Sequence, residues 1–252
     1  MLGNWSFGDY YKKEALVWSW ELLTEVWKLP KDRLFVTIYK NDDEAENIWK
    51  THTDIEHWRI MRFGEKSNFW EMGEVGPCGP CSEIHFDMGD LATQKATYAD
   101  EVLGVNGTNA RYIEIWNNVF MQNERLPSGS LKELPAKHVD TGMGFERICS
   151  IIQGTGSNYE TDVFRPIIDK IAALTGVAYD RGALGTPHRV VADHLRCLAF
   201  AISDGATPGN EGRGYVLRRI LRRAARFSQQ LNQKEPFIFK LVPILVEVMG
   251  QA

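Results

Sequence analysis

The first 50 positions alternate between two hydrophobic spacings, which together predict a helix, a strand and a second helix. The helix is expected to start after Asp9 as its N-cap and to end by Pro30. The strand covers residues 34–39, which are β-branched or aromatic without a breaker, and the second helix covers residues 42–50, which begin with acids. The large apolar residues of the first helix follow helical periodicity: Leu16, Val17, Trp20, Leu23 and Trp27.

A nearly continuous apolar run covers residues 111–122 and predicts a central strand that is buried on both faces. Glu114 and Asn117 lie inside this run, and burial penalises such polar groups unless they are paired. Residues an odd number apart face opposite sides of a regular strand. A site that uses both side chains therefore requires a bulge or a strand end between them.

The stretch VDTGMGFERI, residues 139–148, predicts a strand that runs into a helix. Its two glycines permit a close backbone approach, and apolar residues then recur at helical spacing. Asp140 would follow the strand, where a carboxylate can fix an ammonium group. Arg147 would project from the first helical turns, where a guanidinium can hold a phosphate. The alternative interpretation is a surface ion pair.

Residues 68–84 are rich in glycine and proline and predict a rigid, turn-dense loop. Cys78 and Cys81 have the spacing of a zinc half-site or a redox pair, but adding His85 leaves a structural zinc site one ligand short. We expect a structural loop and no zinc within this chain. Trp70 is a candidate for the core, which is the usual place for a tryptophan. Residues 91–110 indicate no chemistry.

The last third of the chain predicts an all-helical region. Glycines break the pattern at residues 154–157, which places a domain boundary near Gly156, and helices are expected over 158–175, 189–203 and 214–231. Residues 189–226 contain eight arginines and three acids, whereas the whole chain carries a net charge of −4. Such a basic block indicates a local contact with a polyanion, although a charged run is more often a solvated face.

Composition limits the remaining choices. The 252 residues are 44% hydrophobic and 25% charged, an ordinary profile for one large or two smaller domains. No apolar run approaches the roughly 20 residues of a membrane span, and the N-terminus lacks a signal-peptide pattern. We expect a cytoplasmic protein with no membrane partner, whose four cysteines are reduced.

The motif G-x-G-x-E-R resembles motif 3 of the class II aminoacyl-tRNA synthetases. Six stretches, in order along the whole chain, are similar to the alanyl-tRNA synthetase family: MLGNWSFGDYYK, NFWEMGEVGPCGPCSEI, RYIEIWNNVFMQ, HVDTGMGFERI, RVVADHLRCLAFAISDG and GNEGRGYVLRRILRRA. The resemblance implies an α+β fold: residues 1–156 as the C-terminal portion of a class II catalytic domain, with an antiparallel sheet flanked by helices, and residues 157–252 as an incomplete helical tRNA-binding domain. The alternative is a Rossmann-type parallel sheet, but no G-x-G-x-x-G follows an early strand.

The resemblance also implies substrates and the residues that hold them. It assigns Arg147 to the γ-phosphate of ATP, Gly144 to the ATP site, and Glu114 to Mg²⁺ bound with ATP. Glu83 is typical of the family near the amino-acid pocket. The alanine pocket is assigned to five residues: Trp70, Asn117, Val119, Asp140 and Gly142.

For RNA, the resemblance makes the helical region the holder of the tRNA(Ala) acceptor stem. Asn210 matches an asparagine that reads a G·U pair, and a turn residue is the alternative interpretation. The arginines expected to contact the RNA are Arg213, Arg218, Arg219 and Arg222. Arg218, Arg219 and Arg222 fall on one flank of the predicted helix.

Two function classes follow. The first is a ligase that activates alanine with ATP to alanyl-adenylate and transfers it to tRNA(Ala). The second is a catalytically incomplete fragment or paralogue that keeps only the fold and acceptor-stem binding. The resemblance places Met1 inside motif 2, so we expect the preceding catalytic segments and an editing segment to belong to a longer protein. The activity of this chain alone is therefore an open question.

Overall fold

The computed structural model describes residues 1–250 and divides into two compact units, Met1–Ile152 and Gln153–Ala252. The first unit contains seven strands and five helices. Its strands are β1 (Trp5–Phe7), β2 (Leu34–Tyr39), β3 (Ile60–Phe63), β4 (Phe69–Glu71), β5 (Gly76–Asp87), β6 (Tyr112–Arg125) and β7 (Leu131–Met143). Its helices are α1 (Lys12–Glu21), α2 (Asp43–His52), α3 (Glu65–Asn68), α4 (Gln94–Thr97) and α5 (Phe145–Ile152).

The seven strands form one sheet in the order β1-β7-β6-β5-β2-β3, and β4 pairs with β5 off this path. All of the pairs are antiparallel except β2 with β3. This is the α+β arrangement that the sequence predicted, and a parallel Rossmann sheet is ruled out. The longest pairings, β5 with β6 and β6 with β7, lie at the centre of the sheet and carry the site.

One face of the sheet is covered by α1 and α2, which bury the main core of this unit. Trp20 and Trp49 meet edge to edge with ring centroids 6.0 Å apart, and Leu16 is fully buried beside them. Trp116 and Phe120 of β6 point into this core. Because side chains alternate along a strand, the residues between them, Asn117 and Val119, face the other side of the sheet.

The first helix departs from the prediction at both ends. Its N-cap is Tyr11, two residues after the predicted Asp9, and the Tyr11 amide donates to the Glu14 carboxylate at 3.3 Å. After α1 the chain continues in a π-helical turn, Leu22–Val26. The predictions for β2 and for a helix after Asp42 are confirmed, and the Asp42 carboxylate caps α2 by accepting from Ala45 N at 3.1 Å.

The prediction of a loop at residues 68–84 is wrong, because β4 and most of β5 lie there. Gly79 explains why glycine occurs within a strand. A β-carbon at this position would lie 2.0 Å from the carbonyl oxygen of Phe120, so β5 approaches β6 too closely for any side chain. The register shifts between Cys78 and Cys81 at the same place, a local irregularity where prolines are tolerated.

The second unit is helical, as the sequence predicted, and it has its own core. Its helices are α6 (Arg165–Thr175), α7 (Thr186–Ser203), α8 (Gly212–Gln230) and α9 (Val242–Met249). Helix α6 begins later than the predicted residue 158, after a 3-10 turn at Asn158–Glu160. Apolar residues of α6, α7 and α9 pack together, among them Ile167, Ile171 and Val191. Within residues 1–250, none of the helices combines the length and hydropathy that crossing a bilayer requires.

Candidate functional site

The sheet face opposite α1 and α2 gathers most of the residues that the sequence singled out. In the β-ladder Asn117 lies between Glu83 of β5 and Gly142 of β7. Val119 lies in the next same-face row, between Cys81 and Asp140. Directly opposed residues of antiparallel strands project to the same face, with β-carbons about 5 Å apart. The register therefore brings Asn117, Val119, Asp140 and Gly142 together on one surface.

A bulge in β6 places Glu114 on that same surface. The pairing steps from Ile84–Trp116 to His85–Glu114, so β6 contains one extra residue at Ile115. The carbonyl of Ile115 accepts a hydrogen bond from Gly144 N at 3.2 Å, which joins the bulge to the turn before α5. The bulge that the odd spacing of Glu114 and Asn117 required is present.

Arg147 of α5 contacts β6 at this bulge. Its NH1 donates to the Glu114 carbonyl oxygen at 2.7 Å and lies 3.5 Å from Glu114 Oε2. Both side chains remain partly exposed, at 46% for Arg147 and 38% for Glu114, so this is a weak, solvated ion pair that a ligand can displace. A β-carbon on Gly144 would lie 3.1 Å from Arg147 Cδ, and the missing side chain leaves space for the arginine.

Two polar groups of the surface lack protein partners within residues 1–250. The Asp140 carboxylate has no hydrogen bond or ion pair there, and Asn117 Oδ1 is buried without a donor. Gly142 is covered by Met1, whose sulfur would lie 2.7 Å from a β-carbon at this position. A carboxylate and an amide oxygen without partners can accept from an ammonium group.

Trp70 is half-buried in β4, opposite Gly79 of β5. Because Gly79 and Cys81 are two residues apart, Trp70 projects to the same side of β5 as Cys81 and Glu83. This position suits a wall at the edge of the surface, and the tryptophan is not part of the main core.

Beside the surface is a group of polar residues, the Glu83 cluster, in which Asn106 is exposed and the other four are buried: Thr37, Asn68, Glu83, His85 and Asn106. Glu83 Oε2 accepts from Thr37 Oγ1 at 3.1 Å and from Asn106 Nδ2 at 3.5 Å, and it lies 3.2 Å from His85 Nε2. Glu83 and His85 are 7% and 2% exposed. The carboxylate is held by two neutral donors and one histidine, and within residues 1–250 it makes no ion pair with an arginine or lysine.

The two cysteines of β5 are free and buried. Burial, and then the neighbouring Glu83 carboxylate, raise the pKa of the Cys81 thiol well above its ordinary value. Burial also raises the pKa of Cys78. Both therefore stay protonated at neutral pH. Within residues 1–250 no three histidine, cysteine, aspartate or glutamate side chains are grouped as metal ligands.

The second unit presents a basic surface on α8. Arg213, Arg218, Arg219 and Arg222 are all exposed. The last three line an open groove of about 910 Å³ along the helix, together with His194 of α7 and Tyr215. Asn210, in the turn before α8, accepts a hydrogen bond from Arg218 NH1 through its Oδ1. The asparagine is exposed and its position is tied to the arginine surface.

Comparison with known proteins identifies the family. A sequence model described as tRNA synthetases class II (A) matches residues 1–252, the full length of the chain. The chain belongs to the class II (A) tRNA synthetases. This membership accords with the antiparallel sheet flanked by helices that the sequence predicted.

The class II (A) relatives include enzymes named Alanine–tRNA ligase. The one from Chlorobaculum tepidum is 57% identical over 254 residues, which are 99% of this chain and 28% of the relative. The one from Chlorobium chlorochromatii is 57% identical over 255 residues, covering 100% of this chain and 28% of the relative. The one from Cytophaga hutchinsonii is 54% identical over 260 residues, covering 99% and 29%. The chain thus spans less than a third of the length of the relatives that it matches.

For this class II (A) synthetase, sequence reasoning missed most of the Glu83 cluster. Asn106 belongs to a stretch that predicted no chemistry, yet its amide reaches Glu83 across 23 positions of sequence. Its positive φ of 59° was the one available signal, since asparagine is among the few residues that favour this backbone region. Thr37 and Asn68 gave no signal of their own.

Proposed function

We propose that this chain carries the amino-acid and ATP site of an alanine–tRNA ligase. In this function alanine is activated with ATP to alanyl-adenylate, and the alanyl group is then transferred to tRNA(Ala). The observation that carries the proposal is the convergence of Asp140, Asn117, Val119 and Glu114 on one sheet face, next to Arg147. The choice of alanine is supported by the relatives, which are named Alanine–tRNA ligase. Because the charging of tRNA supplies protein synthesis, we expect the protein in the cytoplasm.

Alanine offers an ammonium group, a carboxylate and one methyl group to this surface. The unpaired Asp140 carboxylate takes the ammonium, and Asn117 Oδ1 is a second acceptor beside it. Val119 and Trp70 bound the methyl group, and the substrate backbone would take the place of the Met1 side chain over Gly142. A pocket of this size excludes larger side chains but discriminates against glycine or serine by only about 1–3 kcal/mol.

Activation requires positioning of phosphates and no protein nucleophile. An oxygen of the alanine carboxylate attacks the α-phosphorus, the new O–P bond forms as the α–β phosphoanhydride bond breaks, and pyrophosphate leaves. Arg147 holds the γ-phosphate by charge-assisted hydrogen bonds, with Gly144 giving its side chain room. This requires Arg147 to exchange its contact with Glu114 for one with ATP.

Glu114 is the carboxylate placed to hold Mg²⁺. Magnesium commonly binds one or two protein carboxylates together with substrate phosphates, so a single exposed glutamate beside Arg147 fits an ion that arrives with ATP. The ion would neutralise phosphate charge. Glu114 would release Arg147 when it binds the metal, which frees the guanidinium for the phosphate.

The basic surface of α8 is the proposed contact for the tRNA acceptor stem. Its arginines would pair with backbone phosphates, and the exposed Asn210 would read a base pair in the shallow minor groove. The alternative function is a catalytically incomplete fragment or paralogue that only binds RNA. It is favoured by the separate core of the second unit, which supports α8 independently of the sheet.

Alanine-dependent exchange of pyrophosphate into ATP tests the proposal. The assay is run on the 252-residue chain and on the full-length gene product, and acceptor-stem binding is titrated on both. Exchange that depends on alanine supports the ligase. Acceptor-stem binding by both proteins, without exchange in either, selects the RNA-binding alternative.

A further inference from the structure

Trp70 lies on a short segment, α3 and β4, in which residues 69–71 pair with β5. Helix α3 has four residues and β4 has three. Asn68 is the last residue of α3 and immediately precedes β4. The Asn68 side chain is fully buried, and its Nδ2 donates to Thr37 Oγ1 at 2.8 Å and to the Cys81 carbonyl oxygen at 3.2 Å. This amide therefore adds a buried side-chain link from the segment of Trp70 to β2 and β5, beside the β4–β5 ladder and the ring contact of Phe69 with Tyr39.

The Thr37 hydroxyl continues the connection. It accepts from Asn68 and has one proton, which it donates to Glu83 Oε2 at 3.1 Å. Thr37 is fully buried, so no water competes for the hydroxyl. The three side chains form a chain of two hydrogen bonds with a fixed direction, called the relay below, in which Asn68 donates to Thr37 and Thr37 donates to Glu83.

The two ends of the relay meet the proposed alanine site from different sides. Asn68 immediately precedes Phe69 and Trp70 of β4. Glu83 is the cross-strand neighbour of Asn117. Arg147 and Glu114, the proposed ATP residues, contact each other and make no hydrogen bond to these three side chains.

We propose that Thr37 and Asn68 are positioning residues, which hold Trp70 and Glu83 at a set separation and thereby fix the fit of alanine between Trp70 and Asn117. The inference rests on the proposed function for its substrate. It adds two side chains that touch no substrate and are not part of the pocket surface. Their effect is expected on alanine and not on ATP.

The test variant is Thr37→Val, which keeps the branched shape of the side chain and replaces the hydroxyl with a methyl group. The control is Thr24→Val. Thr24 is also buried, in the π-helical turn, and its hydroxyl donates a hydrogen bond to the Trp20 carbonyl oxygen of α1 at 2.7 Å. Thr37→Ser is the rescue variant, because it restores a hydroxyl.

Two measurements on the full-length gene product decide the matter. In pyrophosphate exchange, Thr37→Val should raise the KM for alanine about fivefold, the usual effect of one lost hydrogen bond, and leave the KM for ATP within about twofold. Amide hydrogen exchange should accelerate in residues 69–71 and at Cys78 and Gly79. Thr37→Ser should reverse both changes, and Thr24→Val should produce neither.

Two results would overturn the inference and leave Thr37 a core residue. One is an equal rise of the KM values for alanine and ATP in Thr37→Val, and the other is the same acceleration of amide hydrogen exchange in Thr24→Val. A wild-type protein without alanine-dependent exchange would instead reject the proposed function. In that case amide hydrogen exchange alone decides whether the relay holds the segment of Trp70. An unchanged rate of amide hydrogen exchange at residues 69–71 in Thr37→Val would reject that role.

Discussion

Arg147 contacts Glu114, and the proposed function requires it to contact ATP instead. Its guanidinium contacts a carbonyl and a carboxylate of the same residue, Glu114. Because both side chains are solvated, breaking this pair costs about 1 kcal/mol or less. The arginine is therefore available to a phosphate, and Glu114 keeps it aimed at the bulge of β6 until ATP binds.

Replacement of Arg147 tests its role. Arg147→Ala should cost at least about 2 kcal/mol of transition-state stabilisation, which is roughly a 30-fold loss in kcat/KM for ATP. Arg147→Lys should restore only part of it, because an ammonium cannot make the paired contacts of a guanidinium. Steady-state pyrophosphate exchange on the full-length gene product measures both, and a normal rate in Arg147→Ala would refute the assignment.

Chemistry at the residue scale was more predictable where side chains follow each other in sequence. Asp140, Gly142 and Arg147 lie within eight positions, so one short motif gave their order on a strand, a turn and a helix. The Glu83 cluster draws on five residues spread from Thr37 to Asn106. Only the pairing of β2 with β5 and the fold of residues 98–106 bring them together, and no local pattern encodes that.

Among the elements, β5 depends most on a single missing side chain. Gly79→Ala should lower the free energy of unfolding of the first unit by about 2–3 kcal/mol, because the new methyl group meets the backbone of Phe120. All eight tryptophans lie at or before residue 116, so tryptophan fluorescence in a urea titration follows this unit alone.

Gly73→Ala is the matched control for that measurement. Gly73 lies in the turn between β4 and β5, and a β-carbon there meets nothing within 4 Å. Its substitution should change the free energy of unfolding by no more than about 0.5 kcal/mol. Equal stabilities of the two variants would show that β5 and β6 can separate without cost.

Helix α8 allows binding strength and base readout to be separated. Asn210→Ala should reduce discrimination between stems with a G·U and a G·C pair, whereas Arg222→Ala should weaken both alike and lower the salt slope by about 1. Arg218→Ala should do both, because Arg218 also holds Asn210. Acceptor-stem binding titrated at several salt concentrations measures this. If Asn210→Ala weakened both stems equally, the asparagine would be only a turn residue.

Elements were predictable where one hydrophobic period runs without interruption. The apolar run of β6 and the β-branched run of β2 gave strands close to the observed ones. Residues 76–87 were missed because four glycines or prolines in the first five positions indicate turns, and only contact with β6 makes them a strand. In this segment the pairing of β5 with β6 overrides the local turn propensity of the sequence.

At the scale of the whole molecule, the chain consists of two units with separate cores. The division falls after Ile152, and the glycine pattern had suggested a boundary four residues later, at Gly156. The first unit carries the proposed chemistry of alanine and ATP, and the second carries the proposed RNA surface. The relatives are more than three times longer, so both activities are to be measured on the full-length gene product as well as on this chain.

Asp140 provides the most direct test, because the proposed alanine site depends on its unpaired carboxylate. The KM values for alanine and for ATP are measured by pyrophosphate exchange in the wild-type full-length gene product and in Asp140→Asn. The account predicts that the wild-type protein shows alanine-dependent pyrophosphate exchange. In Asp140→Asn the KM for alanine should rise at least about tenfold, because one charge-assisted contact is lost, while the KM for ATP and the melting temperature should not change. Equal losses for both substrates, together with a lowered melting temperature, would contradict it and make Asp140 a structural carboxylate.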